Sequence, residues 1–320
     1  MTTYSVLLPF TPVRPEQVVP FAALVQRTPG ARLWTSQQLT LEPHQLFAYS
    51  AGIGLRVPVG TAVTLMPLRH PVEAALQARS LAQITGHPVV AGYGPGAAVF
   101  QEALLGAAYP SPLTAVREYM SAVRGLLAGE RVQMDGAYFR MDASLPQVPH
   151  PPVELGLGVL RPRMARVCGE VADVAIGWLT PPDYLASVIA PELRAGAEAV
   201  SRPTPRLVAV VHVALAGPHR DPVALAYSVC ARHLRGPHYT QMLRRAGVGV
   251  DPSDPVDGAR RLVEAGLFLS GEPEAIAEGL AAYGKAGVDE VVLNCSAVGI
   301  NYGERAALEE IETLLKAVTA

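Results

Sequence analysis

Short apolar runs alternate with longer stretches of three- and four-residue periodicity along almost the whole chain. Residues 4–10 (YSVLLPF) and 31–35 (ARLWT) read as strands, with helical segments at 15–26 and 43–51 after them. Val57, Val59, Ala62, Val63 and Leu65 crowd into one apolar run, the mark of a fully buried third strand. That run leaves through Met66-Pro67-Leu68-Arg69-His70, and Pro71 opens an Ala-rich helix over 72–85. Residues 88–93 (PVVAGY), 153–157, 172–178, 206–214 and 290–294 supply five more strands. Leu113, Val116, Met120, Val123 and Leu127 form the clearest helical stripe, bounded by Pro112 and Gly129. Residues 131–141 read as a hairpin turning on Asp135-Gly136. Between 217 and 265 there are helical pieces and no clear strand, and 267–269 is at most a short extended piece.

Eight strands, each followed by a helix, match the count of a (β/α)8 TIM barrel. Strands this continuously apolar suit a parallel sheet covered on both faces. An open doubly wound sheet with a small second domain would use the same elements. The reading adopted is one domain over residues 1–320, a barrel with an insertion between its seventh and eighth strands. Function then belongs at the C-terminal strand ends, after Phe10, Thr35, Leu65, Tyr93, Leu157, Trp178, Ala214 and Asn294.

Composition narrows the class. Half of the residues are hydrophobic and 17% charged, enough for a large core. A net charge of −2 leaves no footprint for nucleic acid. No apolar run reaches the roughly 18 residues of a membrane span. The first ten residues lack the basic start of a signal peptide, so a cytoplasmic protein is expected. Cys168, Cys230 and Cys295 are odd in number and far apart, which suits reduced thiols. There is no HExxH and no close Cys/His cluster, so no metal site is expected.

Several residues could carry chemistry. Gly92, Gly94 and Gly96 follow a strand with spacing unlike a dinucleotide fingerprint; they either admit a flat ring or form a tight turn. Arg161-Pro162-Arg163 opens a helix, where free N–H groups, the helix dipole and two guanidiniums suit a phosphate, or else the arginines are merely solvated. His70, Tyr93 and His212 are the candidate proton donors, with His212 either lining the pocket or packed in the core. His44, Tyr4 and Glu154 also fall near strand ends, His44 as a cap or surface group. Trp34 and Trp178 either wall a ring pocket or pack against the rim.

From about residue 32 to 184 the chain resembles the luciferase-like superfamily of flavin- and deazaflavin-dependent oxidoreductases. The resemblance lies in GTAVTLMPLRHP (60–71), VVAGYGPG (89–96), REYMSAVRGLLAGERVQMDGAYF (117–139), HPPVELGLG with GEVADVAIGW (150–178), and SGEPEAIAEGLAAYGKAGVDEVVL (270–293). It implies a (β/α)8 barrel, usually a homodimer, with the ring at the C-terminal mouth. It implies a non-prolyl cis peptide at Ala62-Val63, so that Ala62, Val63 and Thr64 seat the ring. Pro95, Gly96 and Ala97, together with Arg161, Pro162, Arg163 and Met164, match where the family grips the ribityl chain and phosphate. Two departures bear on the reaction: Gln37 and Gln38 replace an acidic residue and His, and Ala97 replaces a Glu. Both argue against alcohol oxidation, which needs a base. The expectation is a reductase taking hydride from reduced coenzyme F420 to an electron-poor C=C or C=N bond. The substrate is a small molecule or peptide, such as a dehydroamino acid. An FMN-dependent monooxygenase, or a cofactor-binding homologue without catalysis, are the alternatives.

Overall fold

The computed structural model describes residues 2–319. Its strands in chain order are β1 (Thr3–Leu7), β2 (Leu33–Thr35), β3 (Val59–Thr61), β4 (Thr64–Leu65), β5 (Val89–Gly94), β6 (Val132–Asp135), β7 (Arg140–Ala143), β8 (Val153–Gly158), β9 (Val174–Trp178), β10 (Arg206–Leu215), β11 (Phe268–Gly271) and β12 (Glu290–Asn294). Parallel pairing runs β1-β2-β3-β5-β8-β9-β10-β12, and β12 pairs back onto β1. The barrel is closed, and the open-sheet arrangement is excluded.

The third stave is split: β3 stops at Thr61 and β4 resumes at Thr64, still beside β5. The ten-residue β10 outruns its neighbours, and its projecting end, from His212 to Leu215, pairs with β11. The extended piece expected near 267–269 is therefore a true strand. Between β10 and β11 lie helices Pro222–Arg235, Pro237–Arg245 and Pro255–Glu264, the expected insertion. β6 and β7 form the expected hairpin beside the barrel. Among the described residues no helix is long and apolar enough to cross a membrane.

Alternation along the strands separates two cores. Leu7, Trp34, Ala62, Val90, Val174, Ile176, Val208, Val210 and Val292 fill the barrel interior. A larger cluster lies between the strands and the surrounding helices. Trp34, fully buried, occupies the interior rather than the rim, and Gly60 faces its ring with room for no side chain.

Gly92 shows how tightly the interior is filled. A Cβ there would lie 2.0 Å from the Thr61 carbonyl oxygen and 2.7 Å from Ile176 Cδ1. The obstacle is partly backbone, which cannot rotate away. Gly92→Ala is therefore expected to destabilise the fold by about 3 kcal/mol. Gly158→Ala, whose new methyl meets Val63 at an ordinary 3.6 Å, is the control and should leave the urea midpoint near wild type.

Candidate active site at the barrel mouth

The split third stave is held open by threonines. The bond between Ala62 and Val63 is cis. Thr61 Oγ1 accepts from the Gly92 N–H at 2.8 Å and donates to the Gly92 carbonyl at 3.0 Å. Thr64 Oγ1 donates to the same carbonyl at 2.9 Å. The Ala62 N–H reaches Thr35 O, and the Gln37 N–H reaches Val63 O. Every one of these bonds lies within the protein, so the bulge is a built feature. Thr64 is fully buried in this brace, which corrects the expectation that it faces the ring. Val63 stays half-buried and presents the bulge to the mouth.

The three glycines at and after the end of β5 divide by position. Gly92 and Gly94 are interior positions occupied by the chain itself, through Thr61, Ile176 and Val63. Gly96 alone of the three is left-handed, at φ 74°. The functional and structural readings thus separate: two glycines make room for the bulge and one makes the turn. Pro95 and Gly96 are half-buried, and Ala97 is exposed at the start of helix Ala98–Leu105. The turn is clamped by Gln101, whose Nε2 donates to both the Pro95 and Gly96 carbonyls at 2.9 Å while Oε1 accepts from the Tyr109 N–H. Sequence reading missed Gln101, because a lone polar residue in an exposed helix carries no signal.

Helix Pro162–Val171 begins at the mouth end of β8, with Arg161 as N-cap and no side chain bonding its first turn. Arg161 and Arg163 are exposed, while Pro162 and Met164 are half-buried. Arg161 Nη1 donates to Gln241 Oε1 at 3.3 Å, which brings insertion helix Pro237–Arg245 against this corner. Arg161 and Arg245 both act on the Tyr184 phenol against the upward push of its burial, so the corner carries concentrated positive charge.

Of the three expected proton donors, the structure brings one to the mouth. Tyr93 points outward beneath helix Pro71–Thr85, where its hydroxyl donates to Ala74 O and its ring packs edge-on to Tyr119. Burial pushes its phenol far above the ordinary range, so it is no proton donor to the mouth. His70 is the exposed N-cap of the same helix, accepting from the Val72 N–H at 3.3 Å. Tyr93 is thus committed to a helix outside the barrel, which corrects its expectation, whereas His70 stands exposed to solvent with its ring edge-on to Phe139. His44 bonds Glu42 at 2.7 Å. Glu154 lies at the opposite end of the barrel with Arg206.

His212 sits inward at the mouth, on the alternation that also faces Val208 and Val210 inward, and is 1% exposed. Its ring stacks on Phe268 and meets Trp178 edge-on at 5.7 Å. The insertion lays His233 flat on the other side of Trp178, and Tyr239 meets His233 at 4.7 Å. Burial, helped by His233, lowers the His212 imidazole to about 3. Burial chiefly lowers His233 to about 4, with His238 and Arg232 adding to it against the pull of the Val229 carbonyl. Both rings are neutral near pH 7.

The sign of the pH effect follows. Below 6.5 the unfolded chain takes up protons at these two positions that the folded chain refuses. Stability should therefore fall as pH drops from 6.5 toward 4, by up to about 1.4 kcal/mol per pH unit for each ring. Urea midpoints at several pH values test this, and His212→Phe should flatten the slope by about half.

Two cavities lie away from this cluster. One of about 470 Å³ is lined by Arg79, Leu126 and Pro146 on the flank. Another of about 730 Å³ opens at the N-terminal end, among Arg32, Glu154, Arg206 and Glu290. Among the described residues no group of His, Cys, Asp or Glu is placed to hold a metal ion.

A closed parallel barrel with a bulged third stave, a cationic helix start and a ring cluster at one mouth defines a barrel protein whose site is built on its C-terminal strand ends. Residues 3–290 match the luciferase-like monooxygenase family, and the chain belongs to that family. It is 33% identical over 147 residues to 5,10-methylenetetrahydromethanopterin reductase of Methanolobus tindarius, covering 46% of this chain and 44% of the relative. It is 31% identical over 156 residues to the F420-dependent glucose-6-phosphate dehydrogenase of Nakamurella multipartita, covering 46% and 45%. These matches thus span less than half the length of either relative. The solved coenzyme F420-dependent tetrahydromethanopterin reductase of Methanopyrus kandleri superposes with TM-score 0.77 over 99% of this chain and 98% of its own, at 19% identity, a likeness of fold.

Proposed function

We propose that the protein is a deazaflavin-dependent oxidoreductase working as a reductase: hydride passes from reduced coenzyme F420 to an electron-poor C=C or C=N bond of a small molecule or peptide. The observation that carries this is the split third stave facing the open, cationic helix start after β8, in a chain among whose relatives are enzymes named as F420-dependent. The residues present suit such a group. Val63 offers a half-buried apolar knob for a flat ring. Arg161, Arg163 and the open helix start suit a phosphate, and the Gln101-clamped turn brings backbone alongside. When bound, the deazaflavin supplies a hydride.

The protein's own part is positioning and electrostatics. The braced bulge fixes one face of the site, and the ring cluster of Trp178, His212 and His233 keeps water from the other. Neutral His212 is a hydrogen-bonding group there, and solvent is the source of the proton that completes a reduction. Gln37 and Gln38 are tied to Arg69 and Thr11, so the second stave presents no base for alcohol oxidation.

Separate titrations with F420 and FMN test the reading. Micromolar binding of F420 with none of FMN is expected. FMN binding with NADH-driven oxygen uptake would establish the monooxygenase instead, and F420 binding without hydride transfer to any activated alkene would leave a carrier. A dehydroamino acid in a peptide is the substrate we favour for first trial.

A further inference from the structure

The ring cluster at the mouth holds buried nitrogens without partners, His233 Nδ1 among them, and two on the barrel strands concern the site. Trp178 Nε1 and His212 Nδ1 are buried, and neither has a hydrogen-bond partner. The proton on His212 is located by its neighbour. The Ser296 N–H donates to Asn294 Oδ1 at 3.0 Å, which turns the Asn294 amide NH2 toward His212 Nε2, 3.4 Å away. An amide NH2 only donates, so Nε2 is the acceptor and the one proton of the neutral ring sits on Nδ1. The indole N–H of Trp178 likewise only donates.

Both side chains face inward from adjacent strands at the same end of the barrel, Trp178 closing β9 and His212 lying near the end of β10. A buried donor left without an acceptor is destabilising, so two on rings 5.7 Å apart suit a ligand that brings an oxygen. The rings packed around them, Phe268 and His233, carry no formal charge near pH 7. A carboxylate against these neutral rings would lose far more hydration than a carbonyl oxygen does.

We propose, resting on the reductase reading above, that Trp178 Nε1 and His212 Nδ1 cradle the carbonyl oxygen of a conjugated substrate. The bond reduced is then the C=C of an unsaturated aldehyde, ketone or amide, and an isolated imine is not the substrate. The step balances. Hydride supplied by a bound deazaflavin would form a C–H bond at the β-carbon, the C=C pair would move to the bond between the α- and carbonyl carbons, and the carbonyl π pair would move onto oxygen. The two N–H groups hold that enolate oxygen, and a proton from water then adds at the α-carbon and restores the carbonyl.

Cinnamaldehyde is the probe, because hydrogen bonds to its oxygen shift its near-ultraviolet absorption to the red. Wild type should show that shift, and Trp178→Phe and His212→Phe should each reduce it, the remaining N–H still donating, with the double variant abolishing it. Each variant should also lose about 100-fold in kcat/KM for cinnamaldehyde reduction. The nitrogen NMR spectrum of the wild type should show His212 protonated on Nδ1, and cinnamate should bind at least about tenfold more weakly than cinnamaldehyde. An Nε2-protonated ring, an unshifted probe in the wild type, or equal binding of cinnamate would each overturn the cradle, whether or not the variants fold. Failure of F420 to bind the wild type would instead remove the deazaflavin reading, while the probe shift and the ring's protonation still judge the cradle.

Discussion

Glu290→Leu is expected to lower the stability of the fold by about 3–5 kcal/mol, read as a fall in urea midpoint at unchanged slope. Glu290 opens β12 at the N-terminal end of the barrel and its side chain is 5% exposed. It accepts from Trp34 Nε1 at 2.7 Å and from Arg206 Nη1 at 3.4 Å, and Arg32 Nε lies 3.8 Å away. Glu154 receives the other edge of Arg206 at 2.9 and 2.8 Å. Removing one carboxylate from this set leaves the indole N–H unpaired inside the barrel and two guanidiniums sharing one partner. Replacing the whole set by apolar residues would be far milder, because the penalty comes from the charge left behind. Glu290→Gln keeps an acceptor for Trp34 and should recover part of the loss. A leucine variant as stable as wild type would show that the network adds nothing.

The second large effect concerns ligand affinity. Removing Arg161 and Arg163 together should weaken F420 binding about 100-fold, since charge-assisted contacts to a phosphate contribute about 1.5 kcal/mol or more each. Both side chains are exposed, so the urea midpoint should stay near wild type. The wild-type affinity should also fall with added salt, and the double variant's should fall less. Unchanged affinity would remove the phosphate from this corner and with it the proposed placement of the cofactor tail.

Much of the architecture was legible because the signals behind it are local. Apolar runs of strand length, Pro at helix starts and Gly at helix ends require no partner to be read, and they place all eight staves and the insertion. The bulge at Ala62-Val63 was legible only through family resemblance; nothing in the composition of GTAV announces it. Tyr93 shows where reading stops. In a strand buried on both faces the two parities look alike, so the sequence does not say whether Tyr93 or its neighbours Gly92 and Gly94 face the barrel. Residue chemistry likewise makes His70 and His212 equal candidates, although one caps a helix in solvent and the other is buried at the mouth.

The amino-acid sequence alone determined a parallel β/α chain with eight staves, a long insertion before the last, and the two arginines at a helix start, because each depends on neighbours within a turn or a strand. Closure of the barrel decided the rest. Which parity faces inward, which imidazole loses its water, and which donors are left without acceptors all depend on contacts between segments far apart in the chain. Asn294, itself turned by the Ser296 N–H, orients His212 from 82 residues away, and no local pattern encodes a distance of that kind.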